Sequence, residues 1–230
     1  MTTIPAALRH RVRRDGARPL LTFYDLDAGT RTELSAITFA NWADKTANLL
    51  VDLDVAPGDL VALPLAETDP GHWVTLAITA GAWQAGATIV AHDHPDAAVT
   101  VIGPADPRIH DGSPGIILAC SLHPLGFGFA EPLAADVIDV SIDLRSQPDQ
   151  FSPIQVDDHS LAWTDHHRSL SHADLAQTPP TPTRRLIRPG TGWPTLRDAL
   201  VAPLLGNGST VIAVGTGNLD AIRRAERVTG

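Results

Sequence analysis

The chain has 230 residues, of which 43% are hydrophobic, and this length and composition are typical of one or two ordinary globular domains. Its formal net charge of -9 argues against general affinity for nucleic acids or anionic membranes. The single cysteine, Cys120, excludes an intramolecular disulfide, and its apolar neighbours predict a buried, inert thiol. There is no apolar run of the roughly 18 residues that a membrane-spanning helix needs, and the start of the chain lacks the apolar centre of a secretion signal. We therefore expect a cytoplasmic protein.

The first elements are predicted to be a helix and a hairpin. Residues 4–14 have an amphipathic pattern that places Leu8 and Val12 inward. The same pattern places four arginines outward, namely Arg9, Arg11, Arg13 and Arg14. The turn sequence Asp-Ala-Gly at 27–29 then separates two strand-like segments, which indicates a β-hairpin.

The stretch 38–96 combines helices with buried strands. Apolar residues recur at three- and four-residue spacing through 39–53, which predicts one helix, and a second helix is predicted over 70–85. Segments 60–63 and 87–91 are continuously apolar, as expected of strands that are buried on both faces. A helix between two such strands is a βαβ crossover, so the surrounding sheet should be parallel.

The rest of the chain continues the same alternation. Further strands are predicted at 98–102, 115–121 and 210–214, with a short helix near 137–145 and another over 218–227. The segment 161–176 is predicted to be a strand, a tight turn and a helix. Turn-forming residues cluster at 148–153, which predicts a first lobe of residues 1–153 and a second, smaller lobe of residues 154–230.

Several of these segments resemble the amino-terminal portion of adenylate-forming enzymes, the acyl-CoA synthetase and AMP-binding ligase superfamily. The similar pieces are LDVAPGDLVAL at 53–63, WVTLAITAGAWQAGATIVA at 73–91 and SHADL at 171–175, in the order in which that superfamily has them. The chain is most similar to a short, actinobacterial-type group of acyl-CoA-synthetase-like proteins. The resemblance implies an α/β fold with a mostly parallel sheet flanked by helices and a second, smaller α/β lobe.

The resemblance also locates the phosphate-binding loop, which in the superfamily has the form SGTTGxPKG. The flanking strand and helix start are kept, but the intervening segment is about six residues shorter and lacks the glycines and the lysine that a phosphate cradle requires. Asp165 would repel a triphosphate. The positions of this degenerate loop are Thr164, Asp165, His166, His167, Arg168, Ser169, Ser171 and His172.

The resemblance places the nucleotide-binding strands and the lobe with the catalytic lysine beyond Gly230. We therefore expect a truncated relative, covering under half of a typical superfamily enzyme. No catalytic residue and no cofactor are assigned on this basis.

Two groups of histidines are candidate ligand sites. His92, Asp93 and His94 follow a buried strand, at the carboxyl edge where parallel sheets bind ligands. A His-x-His pair can chelate zinc but equally suits an exposed turn, and the sequence does not reveal a third and fourth ligand. The second group contains His159, His166, His167 and His172, with Asp157, Asp158 and Asp165, although adjacent histidines usually point apart. We expect a ligand-binding edge at 92–94 and assign no metal.

Three functions remain open. The first is a degenerate, non-adenylating relative of acyl-CoA synthetases that binds a small molecule or a protein partner. The second is an enzyme, either half of a ligase completed by a partner chain or one that uses the histidine-rich turn. The third is a structural or oligomerisation module, in which a second copy or another protein covers the face of the missing lobe. The sequence favours the first and leans away from catalysis.

Overall fold

A computed structural model describes residues 3–230. The helices are α1 (Ile4–Asp15), α2 (Ala36–Asp52), α3 (Leu65–Thr68), α4 (Trp73–Gln84), α5 (Arg108–Asp111), α6 (Val140–Ser146), α7 (His172–Ala176), α8 (Gly192–Leu196), α9 (Ala202–Gly206) and α10 (Leu219–Ala225). A π-helical turn, Arg197–Val201, joins α8 to α9. The strands are β1 (Pro19–Asp25), β2 (Thr30–Ser35), β3 (Leu60–Ala62), β4 (Thr88–Val90), β5 (Val99–Ile102), β6 (Ile116–Ala119), β7 (Val137–Asp139), β8 (Leu161–Asp165), β9 (Arg168–Ser171), β10 (Arg184–Ile187) and β11 (Ser209–Val214).

The strands form two sheets. The larger has seven strands in the order β7-β6-β5-β3-β4-β8-β9, and every neighbouring pair is parallel except the β8–β9 hairpin. The smaller has the order β10-β11-β1-β2 and is parallel except for the β1–β2 hairpin. The predicted α/β fold, with mostly parallel strands flanked by helices, is confirmed.

Eleven of the twelve residues of helix α4 are buried, as expected of a helix that is mostly apolar on every face. Trp83 donates a 2.7 Å hydrogen bond from Nε1 to the carbonyl oxygen of Ala162, which ties α4 to β8. On its other side α4 packs closely against α2: a Cβ added at Gly81 would lie 2.5 Å from Cβ of Thr46. A side chain at position 81 would therefore push the two helices apart.

The strand pairing crosses the predicted boundary at residues 153 and 154. β8 and β9 follow that boundary in sequence but pair with the first lobe through β4. β1 and β2 precede it but join β11 in the smaller sheet. Each sheet thus contains strands from both sides of the boundary, and the division into two lobes stays a prediction.

Some local predictions need correction. Residues 137–139 form the edge strand β7 rather than the start of a helix; α6 begins only at Val140, where the Asp139 carboxylate accepts the backbone N–H of Ser141. Strands β9 and β10 were not expected. Cys120 is buried as predicted, and burial raises the pKa of its thiol far above the usual range. Within residues 3–230 no helix is long and apolar enough to cross a membrane.

Candidate functional site

The carboxyl ends of β3, β4 and β8 meet at one edge of the larger sheet, because these strands are adjacent and parallel. Glu67 lies in α3, soon after β3. His92 lies two residues after β4, and His166 directly follows β8. The two regions that the sequence nominates separately, 92–94 and the Asp165 turn, therefore meet at this edge.

Glu67, His92 and His166, which we call the edge cluster, offer ligand atoms that all lie within 4.8 Å of one another. The rings of His92 and His166 stack with their centroids 4.1 Å apart and an angle of 17° between their planes. His166 Nε2 lies 3.6 Å from Glu67 Oε1. His92 Nδ1 is buried and has no hydrogen-bond partner among the described residues. Two imidazoles and a carboxylate thus converge without hydrogen bonds that would fix them to other groups.

The turn between β8 and β9 contains only two residues, His166 and His167, because Asp165 pairs directly with Arg168. Asp165 Oδ1 accepts the backbone N–H groups of His167, at 2.8 Å, and Arg168, at 3.0 Å. Trp163 Nε1 donates to Asp165 Oδ2 at 3.0 Å. Burial acts to raise the pKa of Asp165, but these hydrogen bonds and the nearby Arg168 lower it overall. The carboxylate is therefore ionised at neutral pH and is bound to the backbone of its own turn.

The remaining positions that the sequence predicts to be a degenerate phosphate loop have structural partners or are buried. The hydroxyls of Thr164 and Ser169 lie 3.1 Å apart across the hairpin. Ser171 accepts the N–H of Asp174 and caps α7. His172 is 2% exposed, and burial lowers its pKa. None of these four residues belongs to the edge cluster.

The residues around His92 also separate. Asp93 accepts hydrogen bonds from the Arg108 guanidinium at 2.8 and 3.3 Å, and Nδ1 of His94 accepts the backbone N–H of Asp96. Only His92 of the predicted edge belongs to the cluster. Likewise, the group of four histidines proposed from the sequence does not converge, and His166 is its one member in the described metal-ligand set.

Sequence reasoning missed Glu67, although a usable signal existed. The residue closely follows β3, and residues after parallel strands are those that line the carboxyl edge of a sheet.

A cavity of about 250 Å³, the edge cavity, opens beside the cluster. One wall is the Asp165 turn and the opposite wall is the start of α8. Its lining residues are Glu67, Ala91, Asp165, His166, His167, Arg168, Gly190, Thr191, Gly192, Trp193 and Pro194.

A larger cavity of about 450 Å³ lies between the smaller sheet and the loops that follow α3 and β6. Its lining residues are Phe23, Asp25, Ala28, Thr30, Thr68, Asp69, Pro70, Gly71, His72, Leu122, Pro124, Pro189, Gly190 and Val214. The lining contains two carboxylates and neither lysine nor arginine. Burial lowers the pKa of His72 to about 4, so its imidazole is neutral at pH 7. The electrostatic character of this cavity is therefore acidic.

The fold is that of the amino-terminal portion of acyl-CoA synthetases. An acyl-CoA synthetase from Brucella canis superposes with a TM-score of 0.76 at 18% identity, over 99% of this chain and 46% of that chain. The N-terminal domain of FACL13 from Mycobacterium tuberculosis gives a TM-score of 0.67 at 16% identity, over 99% of this chain and 62% of that chain. The resemblance to adenylate-forming enzymes is thereby confirmed at the level of the fold.

A closer sequence relative is the TIGR03089 family protein of Mycobacterium tuberculosis, which is 38% identical over 159 residues. The match spans 66% of this chain and 63% of that protein. No protein-family profile matches the chain. The chain thus spans less than two thirds of the relatives it matches, and about half of the full-length synthetase.

Proposed function

We propose that this chain is a non-adenylating relative of acyl-CoA synthetases and that it binds a small molecule other than a nucleoside triphosphate. The observation that carries the proposal is the Asp165 turn, in which the Asp165 carboxylate accepts hydrogen bonds from the backbone N–H groups of His167 and Arg168.

A loop that cradles phosphate presents several free backbone N–H groups and a mobile cation to the anion. In this turn the two N–H groups already donate to Asp165 Oδ1. The nearest cation, Arg168, lies 3.3 Å from Oδ2 of the same carboxylate, so its charge is partly neutralised. A phosphate bound here would have to displace Asp165 from all of these contacts.

Charge repulsion adds to this cost. Asp165 has a side-chain exposure of 13% and is ionised, so solvent screens it only in part. A single negative charge about 4 Å from an isolated carboxylate would be repelled by roughly 4 kcal/mol at an effective dielectric constant of about 20. The adjacent Arg168 offsets part of this repulsion, so the remaining loss of affinity is smaller than that figure implies. We therefore expect no useful ATP affinity at this position.

The larger cavity supports the second half of the proposal. Its volume of about 450 Å³ lies within the range of small-molecule sites. Phe23, Leu122 and Val214 contribute apolar walls, whereas Asp25 and Asp69 contribute acceptor groups. With neither lysine nor arginine in the lining and with His72 neutral, the cavity suits a neutral or cationic ligand. The half-ligase, the histidine-turn enzyme and the oligomerisation module stay predictions that no contact in the structure favours.

Calorimetry and a pyrophosphate assay on the full chain test the first half of the proposal. We expect no heat of binding with MgATP and no pyrophosphate release with a panel of fatty and aromatic carboxylic acids. ATP binding at low micromolar affinity, or acid-dependent pyrophosphate release, would overturn the proposal.

Two variants of Asp165 test whether this carboxylate is what prevents phosphate from binding to the turn. Asp165→Gly frees both N–H groups and removes the charge, so we expect it to gain weak binding of inorganic phosphate. Asp165→Asn removes the charge but keeps an oxygen that accepts the same N–H groups, so we expect it to gain less. Equal phosphate binding by the wild type and the glycine variant would show that Asp165 does not block the site. Circular dichroism checks that both variants fold.

Ligand-observed NMR with a library of neutral, cationic and anionic fragments tests the larger cavity. We expect hits among the neutral and cationic compounds that are lost in Gly190→Leu. A Cβ at Gly190 would meet nothing within 4 Å, so this position has room for a longer side chain. Because Gly190 also lines the edge cavity, hits that belong to the larger cavity should persist in His166→Ala, which changes the edge cavity alone. Hits that are restricted to anions, or that persist in the variant, would count against this cavity.

A further inference from the structure

We propose that Glu67, His92 and His166 form a binding site for a zinc-class divalent metal ion, with an open coordination position that faces the edge cavity. The sequence alone did not indicate this site, because its three ligands come from separate segments: helix α3, the loop after β4 and the turn after β8. The strand order β3-β4-β8 brings them together.

The distances suit a site that closes on the metal. Ligand atoms bound to one tetrahedral zinc ion at 2.0–2.1 Å lie roughly 3.3 Å apart. The Glu67 and His166 atoms are already 3.6 Å apart, and all three ligand atoms fit within 4.8 Å. An imidazole binds a metal in the plane of its ring, so the stacked ring of His166 must rotate away from His92 for both to bind one ion. His166 is 62% exposed and Glu67 47% exposed, which leaves both side chains room to rotate.

Of the three proposed ligands, His92 has the least room to move. It is half-buried, two residues after β4, and its ring stacks on that of His166. Its buried Nδ1 has no hydrogen-bond partner in the part of the chain that the structure describes. A buried polar atom without a partner costs free energy unless something else supplies the missing interaction. A metal ion bound through Nδ1 would supply it.

The ligand chemistry selects the class of metal. Two imidazoles and one carboxylate form a set that catalytic zinc sites use, whereas magnesium and calcium prefer oxygen ligands only. Three protein ligands leave a fourth position for water or a bound molecule. Here that position faces a cavity of about 250 Å³ to which Glu67 and His166 themselves contribute.

This site does not depend on the proposed function. None of its three side chains takes part in the hydrogen bonds between Asp165 and the turn. The chain could bind zinc whether or not it binds ATP, so the two proposals fail separately.

Titration calorimetry with ZnCl₂ on the full chain, after dialysis against a chelator, tests the site. We expect one zinc ion per chain and no binding of MgCl₂. His166→Ala and Glu67→Gln should each weaken zinc binding at least about tenfold, which is the effect of losing even an outer-shell partner at known sites. Both side chains are largely exposed, so these variants should fold. His92→Ala should have at least as large an effect.

His167→Ala is the matched control. This residue is adjacent to His166 in the same turn and is exposed, but it lies outside the cluster. We expect its zinc affinity to equal that of the wild type. With CoCl₂, the wild type and His167→Ala should show the visible absorption of a tetrahedral site, which His166→Ala should lack.

Three outcomes would overturn the proposal. They are an absence of zinc binding by the wild type, unchanged binding in both His166→Ala and Glu67→Gln, and an equal loss in His167→Ala and His166→Ala. The last result would mean that the turn binds the metal through its adjacent histidines rather than through the cluster.

Discussion

Two polar clusters in this molecule differ in how their side chains are partnered. Beneath α1, Arg9 donates to both carboxylate oxygens of Asp44, to Gln84 Oε1 and to the carbonyl of Phe151. Gln84 Nε2 also donates to Asp44 Oδ1 at 2.9 Å. At the carboxyl edge, by contrast, Glu67, His92 and His166 lie close together, and within residues 3–230 no hydrogen bond joins their side chains.

The difference separates a stabilising role from a binding role. Asp44 is 2% exposed, and its charge is compensated by the bonds that it accepts, so this cluster holds α1, α2 and α4 together. The edge cluster is mostly exposed and its groups are not fully used within the chain. Polar side chains without hydrogen-bond partners at the carboxyl edge of a parallel sheet lie where such sheets bind ligands.

The largest loss of stability should come from breaking the buried cluster of Arg9, Asp44 and Gln84 beneath α1. Asp44→Ala leaves the Arg9 guanidinium and the Gln84 amide without their common acceptor, so we expect a loss of about 3–5 kcal/mol in the free energy of unfolding, measured by urea denaturation. The control is Asp93→Ala, which breaks a two-bond pair with Arg108 where the carboxylate is 62% exposed. That variant should lose less than about 1 kcal/mol. Equal losses would remove the contrast between the clusters.

The second-largest loss of stability is expected when the pH is lowered. The pKa of His72 is lowered from 6.5 to about 4 by burial, so the unfolded chain takes up the proton first. Stability should be complete above about pH 6.5, fall as pH is lowered towards 4, and lose about 3 kcal/mol in all through this group. Urea midpoints measured at intervals from pH 7 to 4 test this. His172 contributes in the same direction, since burial lowers its pKa too.

His72→Gln identifies the source of that slope, because glutamine cannot take up a proton. The dependence of stability on pH between 6.5 and 4 should become shallower in this variant. Burial acts to raise the pKa of Glu226, but hydrogen bonds from Arg31, Tyr24 and Arg184 lower it from 4.5 to about 2, so this group titrates in a lower pH range than His72. Its stabilisation is present above pH 4.5 and is lost as pH falls towards 2. A wild-type stability that stays constant from pH 7 to 4.5 would contradict the prediction.

A smaller loss of stability is expected from a substitution in the interface between α2 and α4. In Gly81→Ala the new Cβ would lie 2.5 Å from Cβ of Thr46 and 2.7 Å from the carbonyl oxygen of Ala43, so α2 and α4 must separate. We expect a loss of about 1–3 kcal/mol. Gly190→Ala is the matched control, since its Cβ meets nothing within 4 Å, and its stability should stay within about 0.5 kcal/mol of the wild type. Similar unfolding midpoints for the two variants would show that the helix interface tolerates the added methyl group.

The smallest effect is expected at the edge cluster in the absence of metal. His166 is 62% exposed, so His166→Ala should change the free energy of unfolding by no more than about 0.5 kcal/mol. In the presence of ZnCl₂ the wild type should be stabilised, by an amount that grows with the zinc concentration, and the variant should not. A large loss of stability in metal-free His166→Ala would assign the residue to the structure rather than to a site.

Predictions from the sequence succeeded where the pattern is local and failed where a long side chain reaches a distant partner. The apolar runs at 60–63 and 87–91 correctly gave two parallel strands, because a strand buried on both faces needs an apolar residue at nearly every position. The outward placement of Arg9 and Arg11 was wrong. Arg11 is 4% exposed and bonds to Asn207, almost the whole length of the chain away, which no local periodicity can reveal.

The sequence by itself determined the fold class and the tight turn that follows Asp165. Both depend on local properties, namely hydrophobic periodicity and the number of residues between a strand and the next helix. Only the tertiary structure decided which polar residues meet. Glu67, His92 and His166 are far apart in the sequence, and they converge because β3, β4 and β8 are neighbours whose carboxyl ends share one edge. Strand order depends on how the whole chain packs around α4, and the sequence of no single segment specifies it.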